Sequence, residues 1–313
     1  MQIQNTNLPI AEIIPQVISE LCINNTLVLS APPGAGKSTL LPLYLLQTLP
    51  VNQKIIILEP RRLAAKSIAN RMAELINETV GETIGYKIRF ENCTSKKTRI
   101  EVVTEGILTR QLQKDNTLNN VGIIIFDEFH ERNLNSDLAL ALCKQVQDIL
   151  RPDLKLLIMS ATIDSLLIAN KINSKIIESK GRQYPVNVIY SKNTTIETLN
   201  EQIVYEIKNT LKQFNGDVLV FLPGEHEIKK CEDALNSLDL SIIVYPLYGA
   251  LPYHLQKQAI LPNKNGKRKV VLATSIAETS LTIEGIKIVI DSGYVRKSVF
   301  DPNSGLSKLI TTN

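Results

Sequence analysis

Short runs of β-branched and aliphatic residues recur through the first half of the chain, at Thr26 to Ala31, Lys54 to Pro60, Arg99 to Thr104, Gly122 to Phe126 and Lys155 to Ser160. Between them the apolar positions take helical spacing, as over Leu40 to Leu49. This alternation predicts a parallel sheet flanked by helices, because a parallel crossover needs a helix that packs back onto the sheet. Gly122-Ile123-Ile124-Ile125-Phe126 has no polar position, as expected of a central strand covered on both faces. Around Glu178 to Pro185 the pattern breaks into polar, Gly- and Pro-containing sequence, which predicts a linker. A second series then begins. Its predicted strands are Val186 to Tyr190, Asp217 to Leu222, Ser241 to Tyr245, Lys269 to Thr274 and Ile286 to Asp291. Its predicted helices are Glu197 to Phe214, Glu225 to Leu238 and Tyr253 to Leu261. Val295 to Phe300 and Leu306 to Thr311, joined through Asp301 to Gly305, read as a β-hairpin whose Asn and Gly tolerate a tight turn. The expected fold class is α/β, with two tandem domains over 1–180 and 181–313.

A length of 313 residues agrees with two domains at ~100 to 200 residues each. With 44% apolar and 21% charged residues, both domains can bury a core. The net charge of +4 permits an acidic partner without being dense enough to coat nucleic acid by charge alone. Lys96-Lys97 and Lys264 to Lys269 read as solvated loops. Cys22, Cys93, Cys143 and Cys231 lie far apart and form no CxxC or Cys/His cluster, which argues against zinc and disulfides and for a reducing, cytoplasmic location. No apolar run reaches ~18 residues, so neither a membrane span nor a membrane partner is expected.

The chemistry is carried first by Ala31-Pro32-Pro33-Gly34-Ala35-Gly36-Lys37-Ser38-Thr39, set between a predicted strand and a predicted helix. It fits the phosphate-loop pattern GxxxxGK[ST] at every fixed position except the first, where Ala31 stands for Gly. In such a loop the backbone from Pro33 through Gly34, Ala35, Gly36, Lys37, Ser38 and Thr39 wraps phosphates, with N–H donors from Gly34 onward; Lys37 neutralises the phosphates and Ser38 ligates Mg²⁺. The acidic counterpart should end another buried strand, and Gly122 to Phe126 runs into Asp127-Glu128-Phe129-His130. Asp127 is the expected second metal ligand. Glu128 is the expected base for an attacking water, since two carboxylates in series suit hydrolysis better than transfer to a hydroxyl.

With these motifs in place the sequence closely resembles the DEAH-type superfamily 2 helicases, most of all their bacterial HrpB subgroup. Further stretches carry the resemblance: Glu59-Pro60-Arg61-Arg62-Leu63-Ala64-Ala65, Thr104-Glu105-Gly106-Ile107-Leu108, Ser160-Ala161-Thr162, Phe221-Leu222-Pro223-Gly224 and Ala273 to Thr282. The resemblance implies two RecA-like P-loop NTPase domains that bind ATP with Mg²⁺ and hold a single nucleic-acid strand by its phosphates. It places Arg61, Arg62, Thr104, Glu105 and Gly106 beside that strand from the first domain, and Thr274 and Ser275 from the second. It gives Ser160 and Thr162 the coupling of nucleotide state to domain movement, points His130 towards the second domain, and stacks Arg71 on the adenine. It makes the 295–311 hairpin a strand-separating element. The implied activity is ATP-dependent unwinding, with RNA favoured over DNA as the strand, although phosphate contacts do not distinguish the two. The family's glutamine–arginine motif, QRxGRxGR, is not found before Asn313, so the second domain is expected to be incomplete at its C-terminus. An arginine finger is worth roughly 10³ to 10⁵ in kcat. The alternative expectation is therefore a fragment that binds nucleotide and nucleic acid but hydrolyses poorly.

Overall fold

Strands that must be dry on both faces end up in the middle of a sheet, and the first half of the chain builds its architecture on that rule. A computed structural model describes residues 3–4, 8–161, 165–179, 185–191, 195–238, 241–263, 266–278 and 283–312. The chain divides into two compact units, Met1–Pro185 and Val186–Asn313. In the first, the elements run α1 (Ile14–Ile23), β1 (Thr26–Ser30), α2 (Leu41–Gln47), β2 (Lys54–Leu58), α3 (Arg62–Leu75), β3 (Ile84–Ile88) and β4 (Glu91–Cys93). They continue with β5 (Ile100–Val103), α4 (Glu105–Lys114), β6 (Val121–Phe126), α5 (Leu134–Ile149), β7 (Lys155–Ser160), α6 (Ser165–Lys171) and β8 (Lys175–Glu178). The sheet order is β4-β3-β5-β2-β6-β7-β1-β8, and every pairing is parallel except β3 with β4.

The period-2 alternation of β6 sorts its side chains between two cores. Ile123 and Ile125 pack with Leu27, Leu29, Ile55 and Met72, while Ile124 and Phe126 pack with Val28, Ile56, Leu108 and Ala139 on the opposite face. Because the strands are parallel, the segments following β1, β2, β5, β6 and β7 all leave from one rim of the sheet. β7 lies between β1 and β6 and spaces the phosphate-loop motif from the acidic motif by one strand.

The second unit contains α7 (Leu199–Gln213), β9 (Asp217–Phe221), α8 (Glu225–Asn236), β10 (Ile242–Leu247), α9 (Tyr253–Ile260), β11 (Arg268–Ala273), β12 (Ile286–Asp291), β13 (Val295–Asp301) and β14 (Leu306–Thr312). Four strands form a parallel sheet in the order β10-β11-β9-β12, and β13 with β14 forms the antiparallel hairpin expected from the turn sequence. Gly305 closes that turn at φ +67°, with its N–H donating to the Asp301 carbonyl at 2.9 Å.

Three expectations need correction. Val186 to Tyr190 is not a strand: its described backbone pairs with no strand, and Val186, Val188, Ile189 and Tyr190 are exposed. β-propensity expresses a fit to a half-buried pleated surface, and this run has no such surface. The helix after the phosphate loop is shorter than Leu40 to Leu49, because residues 33–40 form turns and α2 ends at Gln47. Lys269 is no solvated loop lysine. It is fully buried at the start of β11, where its ammonium donates to the carbonyls of Ala259 at 3.1 Å, Leu261 at 3.0 Å and Glu284 at 3.3 Å. These contacts satisfy all three of its N–H donors and tie the end of α9 to the sheet. The linker predicted around Glu178 to Pro185 falls mostly outside the described residues. The short strands β3, β4 and β8 escaped the sequence pattern because β4 and β8 are charged edge strands and the buried β3 is interrupted by Gly85 and Lys87.

Phe126, buried completely and set edge-to-face against Phe129 at 6.1 Å, is the largest side chain joining β6 to its core. Phe126→Ala is expected to destabilise the first unit by about 3 to 5 kcal/mol, read as a shift in the urea unfolding midpoint.

Candidate active site

The loop after β1 is shaped by two left-handed glycines. Gly34 has φ +75° and Gly36 φ +92°, a region that L side chains rarely occupy. A Cβ on Gly36 would also come within 2.8 Å of Leu8 Cδ1, since the segment at Leu8–Ile10 backs the loop and the Ile10 N–H donates to the Ala35 carbonyl at 3.0 Å. Ala31 donates to the Ser160 carbonyl at 3.0 Å, which fastens the loop's first residue to the end of β7. Ala31 occupies the position where the pattern has Gly, and it is buried there in an ordinary backbone conformation. The N–H groups of Gly34, Gly36, Lys37 and Ser38 donate to no backbone carbonyl among the described residues, while Leu40 N–H already closes a helical turn on the Gly36 carbonyl at 2.9 Å. Pro33 and Gly34 are exposed, Ala35 and Lys37 buried, and Ser38 and Thr39 half-buried. Free amides beside a buried ammonium form a cradle for phosphate oxygens.

Lys37 reaches over β7 to the acidic motif. Its Nζ lies 2.8 Å from Glu128 Oε1, and both side chains are only 5% exposed. Burial alone would push the Lys37 ammonium down, but the carboxylates of Asp127, Glu128 and Glu59 outweigh it and hold the group above its ordinary value. Glu128 sits at φ 50° and Arg132 at φ 47°, so two non-glycine left-handed residues bracket the short turn Phe129–Glu131. Such backbone geometry costs of order 1 to 3 kcal/mol per residue and persists where surroundings over-determine it, as around functional groups. His130 Nδ1 accepts the Ala161 N–H at 3.3 Å, which leaves the ring proton on Nε2, 3.3 Å from Glu128 Oε2. Both nitrogens of His130 are thus engaged within the first unit, and its ring links Glu128 to the end of β7.

Asp127 is 3% exposed. Its Oδ1 accepts the Glu128 N–H at 2.9 Å, the Ser38 hydroxyl donates to its carboxylate, and Oδ2 is buried without a partner among the described residues. Burial raises its carboxyl to about 6; Lys37 opposes the shift and Glu128 adds to it. A hydroxyl and an orphaned carboxylate oxygen are hard donors that suit Mg²⁺, which keeps several waters and needs few protein ligands. No cluster of three or more His, Cys, Asp or Glu side chains able to hold a metal occurs among the described residues, so the phosphates and water must complete any coordination at Ser38 and Asp127. One buried group at this rim was not singled out in the sequence. Glu59, at the end of β2, is completely buried, and burial together with the Asp127 carboxylate pushes it well above the usual carboxylate range.

Residues 11–169 match the DEAD/DEAH box helicase family and residues 194–304 match the helicase conserved C-terminal domain. The chain belongs to the DEAD/DEAH box helicases. It is 49% identical over 308 residues to the ATP-dependent RNA helicase HrpB of Escherichia coli (strain K12), covering 98% of this chain and 38% of that protein. It is 40% identical to the ATP-dependent RNA helicase HrpA of Borreliella burgdorferi, covering 94% of this chain and 36% of that protein. It is 39% identical to the pre-mRNA-splicing factor ATP-dependent RNA helicase prp22 of Schizosaccharomyces pombe, covering all of this chain and 28% of that protein. The crystal structure of the E. coli DEAH/RHA helicase HrpB superimposes with a TM-score of 0.92 at 49% identity, covering 98% of this chain and 39% of that one. The chain therefore spans less than two-fifths of the length of these relatives, and its two α/β units are tandem helicase domains.

In this DEAD/DEAH box chain the first-unit residues expected to grip nucleic acid follow β2 and β5, on the same rim of the first sheet as the nucleotide motifs. Arg61 pairs through Nε with Glu131 Oε1 at 3.1 Å, and Arg62 donates to the Arg89 carbonyl at 2.9 Å. Thr104 precedes α4, and Gly106 is exposed, with nothing within 4 Å of a Cβ placed there. The Glu105 carboxylate turns inward, where Oε1 accepts the Ser136 hydroxyl at 2.8 Å and the Asn133 side chain, the cap of α5. The Glu105 carbonyl accepts the Thr109 hydroxyl at 3.2 Å. Thr274 and the exposed Ser275 follow β11 in the second unit, and the Thr274 N–H donates to the Leu247 carbonyl at 3.2 Å. Arg71 lies on the exposed side of α3, paired with Glu74 at 3.3 Å. Ser160 is buried at the end of β7, and Thr162 lies outside the described residues.

The Asp127 carboxyl, at about 6 when folded against 3.8 ordinarily, keeps a proton that the unfolded chain loses between those values. Its contribution to stability therefore declines as pH rises through that window and is fully lost above it. Asp127→Asn, which carries no titratable proton, is expected to melt higher than wild type at about pH 7.5 without magnesium, with a smaller gap at about pH 5. Circular dichroism melts check this; a variant that melts lower at the higher pH would contradict the assigned burial cost.

Proposed function

We propose that this chain is the motor portion of a DEAH-type ATP-dependent RNA helicase, coupling hydrolysis of magnesium-bound ATP to movement along single-stranded RNA. The observation that carries the reading is the buried Lys37–Glu128 contact beside Asp127, in a loop with free amides. The relatives' names as ATP-dependent RNA helicases support RNA over DNA as the strand. No helix among the described residues is long and apolar enough to cross a membrane. The scattered cysteines, without a CxxC pair, favour a reducing cytoplasmic location.

Without phosphate, Lys37 and Glu128 neutralise one another. A γ-phosphate entering the loop offers the ammonium a second partner, which frees the Glu128 carboxylate to orient and deprotonate a water. His130 holds the other oxygen of Glu128 through this exchange, and its bond to Ala161 would transmit the new position to the end of β7. Magnesium, held by Ser38 and Asp127, would spread the charge developing on the β and γ phosphates. Arg71 would cover the adenine, and Arg61, Arg62, Thr104, the Glu105 backbone, Gly106, Thr274 and Ser275 would contact the strand's phosphates without reading bases.

Three measurements test this. Steady-state ATP hydrolysis should rise with poly(U) and vanish in Lys37→Ala, whereas Glu128→Gln should bind a fluorescent ATP analogue within about threefold of wild type and lose ~10² to 10⁴ of any turnover. Hydrolysis unchanged in Glu128→Gln would remove Glu128 as the base. Binding of a uridine oligomer should weaken with salt at a log–log slope near −0.7 per phosphate contact, and a flat dependence would rule out phosphate gripping.

A further inference from the structure

Glu59 stands at the end of β2, next to β6 in the sheet, and the strands are in register there, with Leu58 opposite Phe126 and the Asp127 N–H donating to the Leu58 carbonyl at 2.9 Å. The two residues that follow this pair, Glu59 and Asp127, are both acidic and both buried. Each leaves one oxygen, Glu59 Oε2 and Asp127 Oδ2, without a hydrogen-bond partner among the described residues. Native proteins seldom leave such atoms bare, and each instance calls for an ion, a water or a functional role. Glu59 Oε1 is not bare: it accepts the backbone N–H of Arg61 at 3.1 Å. Arg61 is held again through its side chain by Glu131, four residues beyond Asp127. Charge points the same way, since Glu59, Asp127 and Glu128 are buried together near one ammonium, that of Lys37.

The geometry points to Glu59 as a positioning residue that joins the two ligand sites: one oxygen clamps the Arg61 backbone at the nucleic-acid rim, and the other serves the hydrated magnesium beside Asp127. This inference rests on the helicase reading above. When magnesium and nucleotide bind, the free oxygen of Glu59 gains hydrogen-bond donors and its carboxylate is drawn into a fixed orientation. That orientation sets the Arg61 amide, and with it the start of α3. Magnesium-nucleotide and strand affinities should therefore be linked through this one side chain. The link is reciprocal, as any equilibrium coupling must be.

The test uses the 313-residue chain with Glu59→Gln, Glu59→Ala and Lys37→Ala. Two binding quantities are read: the Mg²⁺ concentration that half-saturates binding of a fluorescent non-hydrolysable ATP analogue, and the anisotropy-based affinity for a uridine oligomer with and without that magnesium-nucleotide. In wild type, magnesium-nucleotide should change oligomer affinity by ~5- to 150-fold. Both Glu59 variants should need ~10- to 100-fold more Mg²⁺ and show less than about twofold coupling. Glu59→Gln keeps the acceptor for the Arg61 amide, so its oligomer affinity without nucleotide should stay within about twofold of wild type, whereas Glu59→Ala should weaken it. If Glu59→Ala fails to melt cooperatively, the near-isosteric Gln variant carries the result alone. A purely structural Glu59 would shift the melt and leave both the Mg²⁺ requirement and the coupling at wild-type values, which overturns the inference. Absence of coupling in wild type overturns it too. Nucleotide binding that survives Lys37→Ala would instead defeat the helicase reading itself.

Discussion

The contact between Lys37 and Glu128 is the constraint around which the first unit is arranged. A buried ammonium and a buried carboxylate are each expensive alone and tolerable together, so the loop after β1 and the turn after β6 must meet across the end of β7. That meeting requires left-handed backbone at Gly34, Gly36 and Glu128, and only the first two positions carry the residue that adopts it without strain. The strained Glu128 is held by its ion pair, by His130 and by the Asp127 carboxylate that accepts its N–H. Ligand binding would exchange partners within this set without moving the strands that support it.

Parallel strands bring the phosphate loop, the acidic turn and the Arg61–Arg62 segment to one rim of the first sheet. The loops leaving β1, β2, β5, β6 and β7 share a rim, and backbone bonds stitch them sideways: Ala31 to Ser160, Asp127 to Leu58, and Glu59 to Val103. The side chains repeat the pattern, with Glu131 holding Arg61 and Glu105 holding the cap of α5. The buried carboxylates of Glu59 and Glu105 are turned inward, where they accept from the Arg61 amide and from the cap of α5. The two cores below the rim are aliphatic and closely packed, which keeps this network from relaxing when one partner changes.

Much of this was readable before any coordinates. Gly122 to Phe126 announced a central strand because no residue in it tolerates water, and the Gly-x-Gly-Lys-Ser run announced a phosphate loop because few other tasks need those residues at that spacing. The 295–311 hairpin was legible from its turn. Other features were hidden for physical reasons. Lys269 looks like the end of a basic, solvated run until the carbonyls of Ala259, Leu261 and Glu284 converge on it from other segments. Val186 to Tyr190 has the composition of a strand yet pairs with no strand among the described residues. Glu59 could be noticed as an acid beside two arginines, but its burial and its place next to Asp127 follow from the pairing of β2 with β6.

Local chemistry therefore belongs to the chain order: which residues can wrap phosphate, which strands must be dry, and where a turn can form are properties of a few adjacent residues and their intrinsic backbone and solvation preferences. Partnership belongs to the fold. That Lys37 meets Glu128, that His130 bridges to Ala161, and that Glu59 and Asp127 each keep an oxygen without a partner among the described residues all depend on strands far apart in sequence being hydrogen-bonded in one order and register. Hydrophobic periodicity records which face of a strand is covered, but it carries no information about the strand that lies beside it.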